Sequence, residues 1–138
     1  MSDQKQRRGS CLCSAVSFTA SSGKSVGACN CNMCRKWNGG PQMAVPCADT
    51  VSFAGEENVA VYKSSDWAER GFCKQCGTHL FYRFHGNQHM MLAGLFDDSD
   101  DFVLETQYFI DQKPGLYSFE NSTTDLTGKQ VAEMMGLG

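Results

Sequence analysis

The sequence lacks long hydrophobic runs, is poor in proline and has no surplus of basic residues, and each shortage excludes a class of protein. Its longest apolar run, residues 90–96, is far shorter than the roughly 20 residues of a membrane-spanning helix. With three prolines, 41% hydrophobic and 20% charged residues, the composition is not that of a disordered chain. A length of 138 residues suits one domain with its own core. We therefore expect a single domain over residues 1–138, without a membrane partner.

Acidic residues outnumber basic ones, but their distribution is uneven. Residues 1–40 contain six of the 12 Lys and Arg and a single acid, whereas the remaining residues contain six basic and 14 acidic side chains. Nucleic-acid-binding modules usually present a basic surface that displaces counterions from phosphates. The net charge of −3 therefore argues against a nucleic-acid partner. A small anionic ligand near the basic N-terminal part is compatible with this pattern.

Cysteine is too scarce for a secreted disulfide scaffold, in which it usually exceeds about 8% of residues. The chain has eight cysteines among 138 residues. The basic residues near its N-terminus are not followed by the apolar segment of a secretory signal. We therefore expect a cytoplasmic, reducing location. In such a compartment, closely spaced cysteines bind metal ions more often than they form disulfides.

Short segments of alternating or β-branched residues recur along the chain, separated by Gly, Asn, Asp and Ser. This pattern is typical of antiparallel β structure. It predicts strands at residues 15–19, 42–45, 51–53, 59–62, 80–84, 90–95 and 108–110. Thr127 followed by Gln130 is a capping-box pattern, which predicts a short C-terminal helix to about Met135. A single helical turn is predicted at residues 34–37, so the expected fold is mainly β, with small sheets joined by metal sites.

Seven of the eight cysteines lie in three groups, and the spacing within each group suits metal binding. The groups are Cys11 and Cys13; Cys29, Cys31 and Cys34; and Cys73 and Cys76. In the first pair, an extended backbone places both sulfurs on one face. In the last pair, the sulfurs converge across a tight turn that Gly77 permits, as in a zinc knuckle. The triplet supplies enough thiolates to occupy one side of a metal ion.

Seven thiolates divide naturally into four and three. A structural zinc ion takes four protein ligands, whereas a catalytic one takes three and keeps an open position. We assign the first and last pairs to a closed structural site, and the triplet to an open site. An alternative division joins Cys31 and Cys34 to the last pair as a zinc ribbon. A histidine could also close the triplet, and the candidates are His79, His85 and His89.

Together these motifs resemble the glutathione-dependent formaldehyde-activating enzyme family, which includes centromere protein V-like proteins. The resemblance rests on Gly9-Ser10-Cys11-Leu12-Cys13, on the Cys-x-Cys-x-x-Cys-Arg-Lys segment at 29–36, on Phe72-Cys73-x-x-Cys76-Gly77-Thr78-x-Leu80, and on the stretch 109–128. It implies a β-tent fold with two zinc ions per chain, divided between the four-cysteine and three-cysteine sites. It also implies a carbon–sulfur lyase activity that condenses glutathione with formaldehyde into S-(hydroxymethyl)glutathione.

The resemblance makes the open site the expected place for substrate. Its catalytic zinc ligands are then Cys29, Cys31 and Cys34, with Arg35 and Lys36 directly behind them. These two cations are candidates to hold the carboxylates of glutathione, Arg35 through a bidentate fork. The expected partners are a small thiol and a small carbonyl compound.

Two positions depart from the family's usual pattern. Asn30 and Tyr108 stand where the family commonly has histidine. Because neither position is a certain ligand, the departures bear on the substrate rather than on the metal site. An alternative hypothesis is therefore a non-catalytic zinc protein that binds a small thiol or a protein partner.

Overall fold

The computed structural model describes residues 4–136 and confirms a mainly β protein. Its elements, in chain order, are β1 Lys5–Ser10, β2 Ser17–Ser22, β3 Ser25–Cys29, α1 Asn32–Asn38, β4 Gln42–Ala48, β5 Ser52–Ala54, β6 Val59–Lys63, β7 Ala68–Cys73, β8 His79–Phe84, β9 Gln88–Leu92, β10 Val103–Tyr108, β11 Thr124–Leu126 and α2 Gly128–Met134. Short 3-10 turns occur at Glu56–Asn58, Ala93–Leu95 and Ile110–Gln112. Within the described part of the chain, no helix combines the length and apolar character needed to cross a membrane.

The described residues form two compact units. The first contains residues up to 24 together with 44–102, and the second contains residues 25–43 together with those from 103 onward. A single domain over residues 1–138 stays a prediction.

In the first unit the strands pair in antiparallel fashion. One sheet has the order β1-β2-β5, and the other strands of the unit pair in the order β4-β9-β8-β7-β6. Burial alternates along β2, where Phe18 and Ala20 face the core. The Phe18 ring meets Phe96 edge-on at 5.2 Å between centroids, and Phe96 meets Phe102 at the same distance. Edge-to-face contacts between aromatic rings therefore stabilise this part of the unit.

Strand β1 carries a buried charge, Arg7, whose side chain has no exposed surface. Its guanidinium donates to both carboxylate oxygens of Asp101 at 2.9 Å and to the Asp98 carbonyl at 3.2 Å. It also lies 4.6 Å from the centroid of the Phe102 ring. These contacts fasten β1 to the acidic loop at 97–101. They explain how so polar a segment takes part in a sheet.

In the second unit, β10 lies between β3 and β11 and pairs with both in parallel. The antiparallel pairing that the sequence pattern indicates therefore does not extend to these two strand pairs. Parallel neighbours require long connections, and the chain supplies them between β3 and β10 and between β10 and β11.

Helix α2 begins as the sequence predicts. Thr127 caps it, because its hydroxyl accepts the Gln130 N–H at 3.2 Å while the Gln130 side chain accepts the Thr127 N–H at 2.7 Å. The two bonds satisfy backbone donors that the first helical turn leaves free. The capping-box prediction is confirmed.

Most predicted strands overlap observed ones, with two corrections. The segment at 90–95 is strand only to Leu92, after which a 3-10 turn begins. The segment at 108–110 is strand only at Tyr108, because Phe109 has a φ of +56° and a 3-10 turn follows. The turn predicted at 34–37 lies inside the longer helix α1.

Candidate metal centres

Four cysteine sulfurs converge in the first unit. Cys11 and Cys13 follow β1, Cys73 ends β7, and Cys76 lies in the turn before β8. Their Sγ atoms all lie within 4.8 Å of one another, with 3.7 Å from Cys11 to Cys13 and 3.8 Å from Cys13 to Cys73. A tetrahedral zinc ion with bonds of about 2.3 Å would hold its sulfurs about 3.8 Å apart. The donor set therefore suits a closed tetrahedral site.

Backbone amides orient two of these sulfurs. The Val16 N–H donates to Cys11 Sγ at 3.3 Å, and the Gln75 N–H donates to Cys73 Sγ at the same distance. Gly77 follows the last cysteine with a φ of +80°, a left-handed conformation that favours glycine. Amide donors of this kind stabilise thiolates, because they place partial positive charge beside the sulfur.

Thr78 belongs to this cluster, although the sequence analysis assigned it no role there. Its hydroxyl oxygen accepts the Leu12 N–H at 3.1 Å and lies 3.1 Å from Cys76 Sγ, so it links the two cysteine turns. Hydrogen bonds from the Thr78 side chain and backbone lower the pKa of the Cys76 thiol to about 5, which favours the thiolate. The sequence feature that could have indicated this role is the position of Thr78 directly after the Cys73-x-x-Cys76-Gly77 segment.

Three cysteine sulfurs converge in the second unit. Cys29 ends β3, Cys31 caps α1, and Cys34 is buried in the first turn of that helix. The three Sγ atoms lie within 4.8 Å of one another, and the Cys34 N–H donates to Cys31 Sγ at 3.3 Å. Among residues 4–136, no ligand atom of a fourth cysteine, a histidine or an acid joins this group. The donor set fits a metal ion that keeps one position open.

The electrostatics of this triplet favour a bound cation. Hydrogen bonds with the Cys31 and Cys34 thiols, followed by burial and by their negative charge, raise the pKa of the Cys29 thiol well above its ordinary value. Three thiolates at such short distances repel one another, and a metal ion relieves that repulsion. The seven clustered sulfurs thus divide into four and three, the first of the two divisions that the sequence left open.

The eighth cysteine, Cys47, is 1% exposed and belongs to neither cluster, so it packs as a small buried apolar residue.

Comparisons with known proteins support the family resemblance that the cysteine motifs indicate. The profile of the glutathione-dependent formaldehyde-activating enzymes matches residues 6–112, a range that includes both clusters. This chain belongs to the glutathione-dependent formaldehyde-activating enzyme family. A protein of Schizosaccharomyces pombe that is described as an uncharacterized lyase is 37% identical over 126 residues, which cover 89% of this chain and 92% of the relative. The resemblance noted from the cysteine motifs is confirmed.

In this member of the formaldehyde-activating family, Arg35 stabilises the turn that carries the three clustered cysteines. Its Nε donates to the Asn30 carbonyl at 2.9 Å, and its Nη2 donates to the Asn32 side chain. Lys36, the other residue predicted to bind glutathione, is exposed. The two predicted cations therefore differ in their surroundings, a difference that sequence spacing did not indicate.

The two departures from the usual family pattern lie beside the triplet. Tyr108 pairs with Cys29 across neighbouring strands, and its ring occupies the space over Gly27, where a Cβ would approach it to 2.4 Å. Asn30 is fully buried, and its side chain is engaged in hydrogen bonds to neighbouring strands and loops. Both residues therefore take part in the packing and hydrogen bonding next to the triplet.

Proposed function

We propose that this protein is a lyase-type enzyme that joins a small thiol, glutathione, to formaldehyde or a related small carbonyl compound. The observation that carries the proposal is the convergence of the Cys29, Cys31 and Cys34 sulfurs without a fourth cysteine, histidine or acidic ligand among the described residues. Family membership and the lyase description of the Schizosaccharomyces pombe relative support this type of reaction. A cytoplasmic location fits the proposal, because glutathione keeps thiols reduced there.

We infer that zinc is the metal of both clusters, since all-thiolate tetrahedral sites are typical of zinc. The four-cysteine cluster then has a structural role, because its own ligands fill every position. Cys29, Cys31 and Cys34 would hold a zinc ion with one position left open, and such an ion would supply stabilisation of an incoming thiol as its thiolate. The catalytic assignment of Cys29, Cys31 and Cys34 follows from this difference between the two clusters.

The proposed reaction is an addition in which nothing is oxidised or reduced. The thiol sulfur forms a bond to the carbonyl carbon, the π electron pair of the carbonyl moves to its oxygen, and the thiol proton ends on that oxygen. Arg35 and Lys36 bind the carboxylates of glutathione beside the triplet, Arg35 while it also braces the cysteine turn. Acceleration comes mainly from holding both reactants in one place and orientation.

Exchange NMR between free glutathione and S-(hydroxymethyl)glutathione tests this proposal directly, because the uncatalysed addition is itself observable. The zinc-loaded protein should increase the exchange rate, and Cys31→Ser should abolish that increase. Cys47→Ala is the matched control, since this cysteine lies outside both clusters, and it should retain the rate. An unchanged exchange rate with fully loaded protein would contradict catalysis. It would favour the alternative of a non-catalytic zinc protein that binds a small thiol or a protein partner.

A further inference from the structure

Tyr117 lies beyond the segment that the family profile matches, yet it contacts the turn that carries the three cysteines. Its hydroxyl donates to the Asn30 side-chain oxygen at 2.7 Å. Asn30 stands between Cys29 and Cys31 in the chain and has no exposed surface. Tyr117, which lies outside the cysteine motifs, therefore fixes the side chain of Asn30, the residue between Cys29 and Cys31 in the chain.

The rest of the Asn30 amide is also engaged. Its Nδ2 donates to the Gln107 side chain and to the Tyr108 carbonyl, both at 3.2 Å, and its backbone N–H donates to the same carbonyl at 3.0 Å. Gln107 donates in turn to the Thr123 hydroxyl at 3.1 Å. A buried amide with all of these bonds has one favourable orientation, because any rotation leaves a buried polar group without a partner.

A second contact holds the turn on the other side of Cys31. The Asn32 N–H donates to the Gln112 side chain at 2.8 Å. The segment from Gln107 to Tyr117 thus binds the cysteine turn both before and after Cys31. The sulfur positions depend on the backbone of this turn, and these two contacts restrain that backbone on both sides of Cys31.

We propose that Tyr117 is a positioning residue for the three-cysteine site and that it acts through Asn30. The proposal rests on the proposed function, in that the triplet binds a metal ion. Removing the hydroxyl leaves the buried Asn30 oxygen without its donor and frees the turn to relax. The aromatic ring itself keeps its contacts with Phe119 and with the Lys113 ammonium group, so its packing persists. Groups hydrogen-bonded directly to metal ligands commonly change metal affinity by about 10- to 100-fold, and Tyr117, which acts through one intervening residue, should have an effect at the lower end of that range.

Cobalt(II) titration followed by absorption spectroscopy tests this role, because thiolate–cobalt bands report both affinity and geometry. Cys31→Ser identifies the bands of the three-cysteine site by their loss. Tyr117→Phe should weaken cobalt binding at that site about tenfold and shift its bands, with no change at the four-cysteine site. Tyr62→Phe, at an exposed tyrosine of β6, is the matched control and should change neither site.

A double-mutant cycle with Asn30→Ala distinguishes action through Asn30 from an independent effect. The double variant should bind cobalt no more weakly than Asn30→Ala alone. Additive losses, or a Tyr117→Phe protein with unchanged affinity and bands, would overturn the proposal, and the second result suffices if Asn30→Ala does not fold. A wild-type protein that takes up cobalt only at the four-cysteine site would contradict the proposed function itself, before any substitution is made, and the positioning role would fall with it.

Discussion

The cysteines of the two clusters are held in different ways, and the difference is visible residue by residue. In the four-cysteine cluster, Cys11 and Cys73 are buried and accept backbone N–H groups, and Thr78 links the two turns. This cluster joins segments that are about 60 residues apart in the chain. In the three-cysteine cluster, all three cysteines come from one short segment. Loss of metal should therefore affect folding at the first site and chemistry at the second.

Substitution of single cysteines should separate these roles. Cys76→Ser should release the structural metal and unfold or aggregate the protein, because binding to such a site contributes directly to the free energy of folding. Cys31→Ser should lower the metal content of the triplet with only a modest loss of stability. Metal analysis together with urea unfolding measures both effects. Equal loss of stability in the two variants would contradict the division into structural and open sites.

Among the secondary-structure elements, helix α2 shows how a local signal controls a local structure. Its cap involves two side chains three residues apart, Thr127 and Gln130, and both bonds of the capping box form. The helix has seven residues, too few to be stable by itself in water. Its cap and the packing of its one buried residue, Val131, therefore determine whether it forms.

Thr127→Ala should destabilise the protein by about 1 kcal/mol, the usual effect of losing a helix N-cap. The measurement is the free energy of unfolding in urea at constant metal content. Lys129→Ala, at the second position of the same helix, is a matched control because it leaves the cap intact. A loss of the same size in both variants would mean that the cap contributes nothing specific.

How much the sequence predicts depends on the distance between interacting residues. Cysteine spacing, the capping box and most β-rich segments are local signals, and the structure bears out the elements that they indicate. Strand β1 is too polar to be recognised, because its buried residues are Arg7 and Gly9, and the partner of Arg7, Asp101, lies 94 residues away. The contact of Tyr117 with Asn30 spans 87 residues and has no signature at either position. Such pairings follow from tertiary packing, which a single sequence does not reveal.

Among the groups whose pKa the fold lowers, Asp101 and His89 both make the stability of the molecule increase with pH. The Arg7 guanidinium beside Asp101 holds the pKa of that carboxyl group well below its usual range. Burial, followed by the positive charge of Arg83, lowers the pKa of His89, which lies against Phe53 and Phe81. Because both groups bind protons more strongly in the unfolded state, lowering the pH favours that state.

The free energy of unfolding should be highest above about pH 6.5, the pKa of histidine in an unfolded chain, and should decrease as pH falls through that value. A further decrease is expected below about pH 4, where the unfolded state protonates Asp101. Urea unfolding at several pH values measures this profile. His89→Gln should flatten the decrease between pH 7 and pH 5. A steeper slope in that variant would contradict the assignment.

We propose that this chain binds one metal ion at a closed four-cysteine site and another at an open three-cysteine site that accepts a thiol. Native mass spectrometry with and without glutathione tests it most directly. We expect two zinc ions per chain and a glutathione adduct, with the adduct and one zinc ion lost in Cys31→Ser. One firmly bound zinc ion and no adduct in the wild-type protein would contradict it.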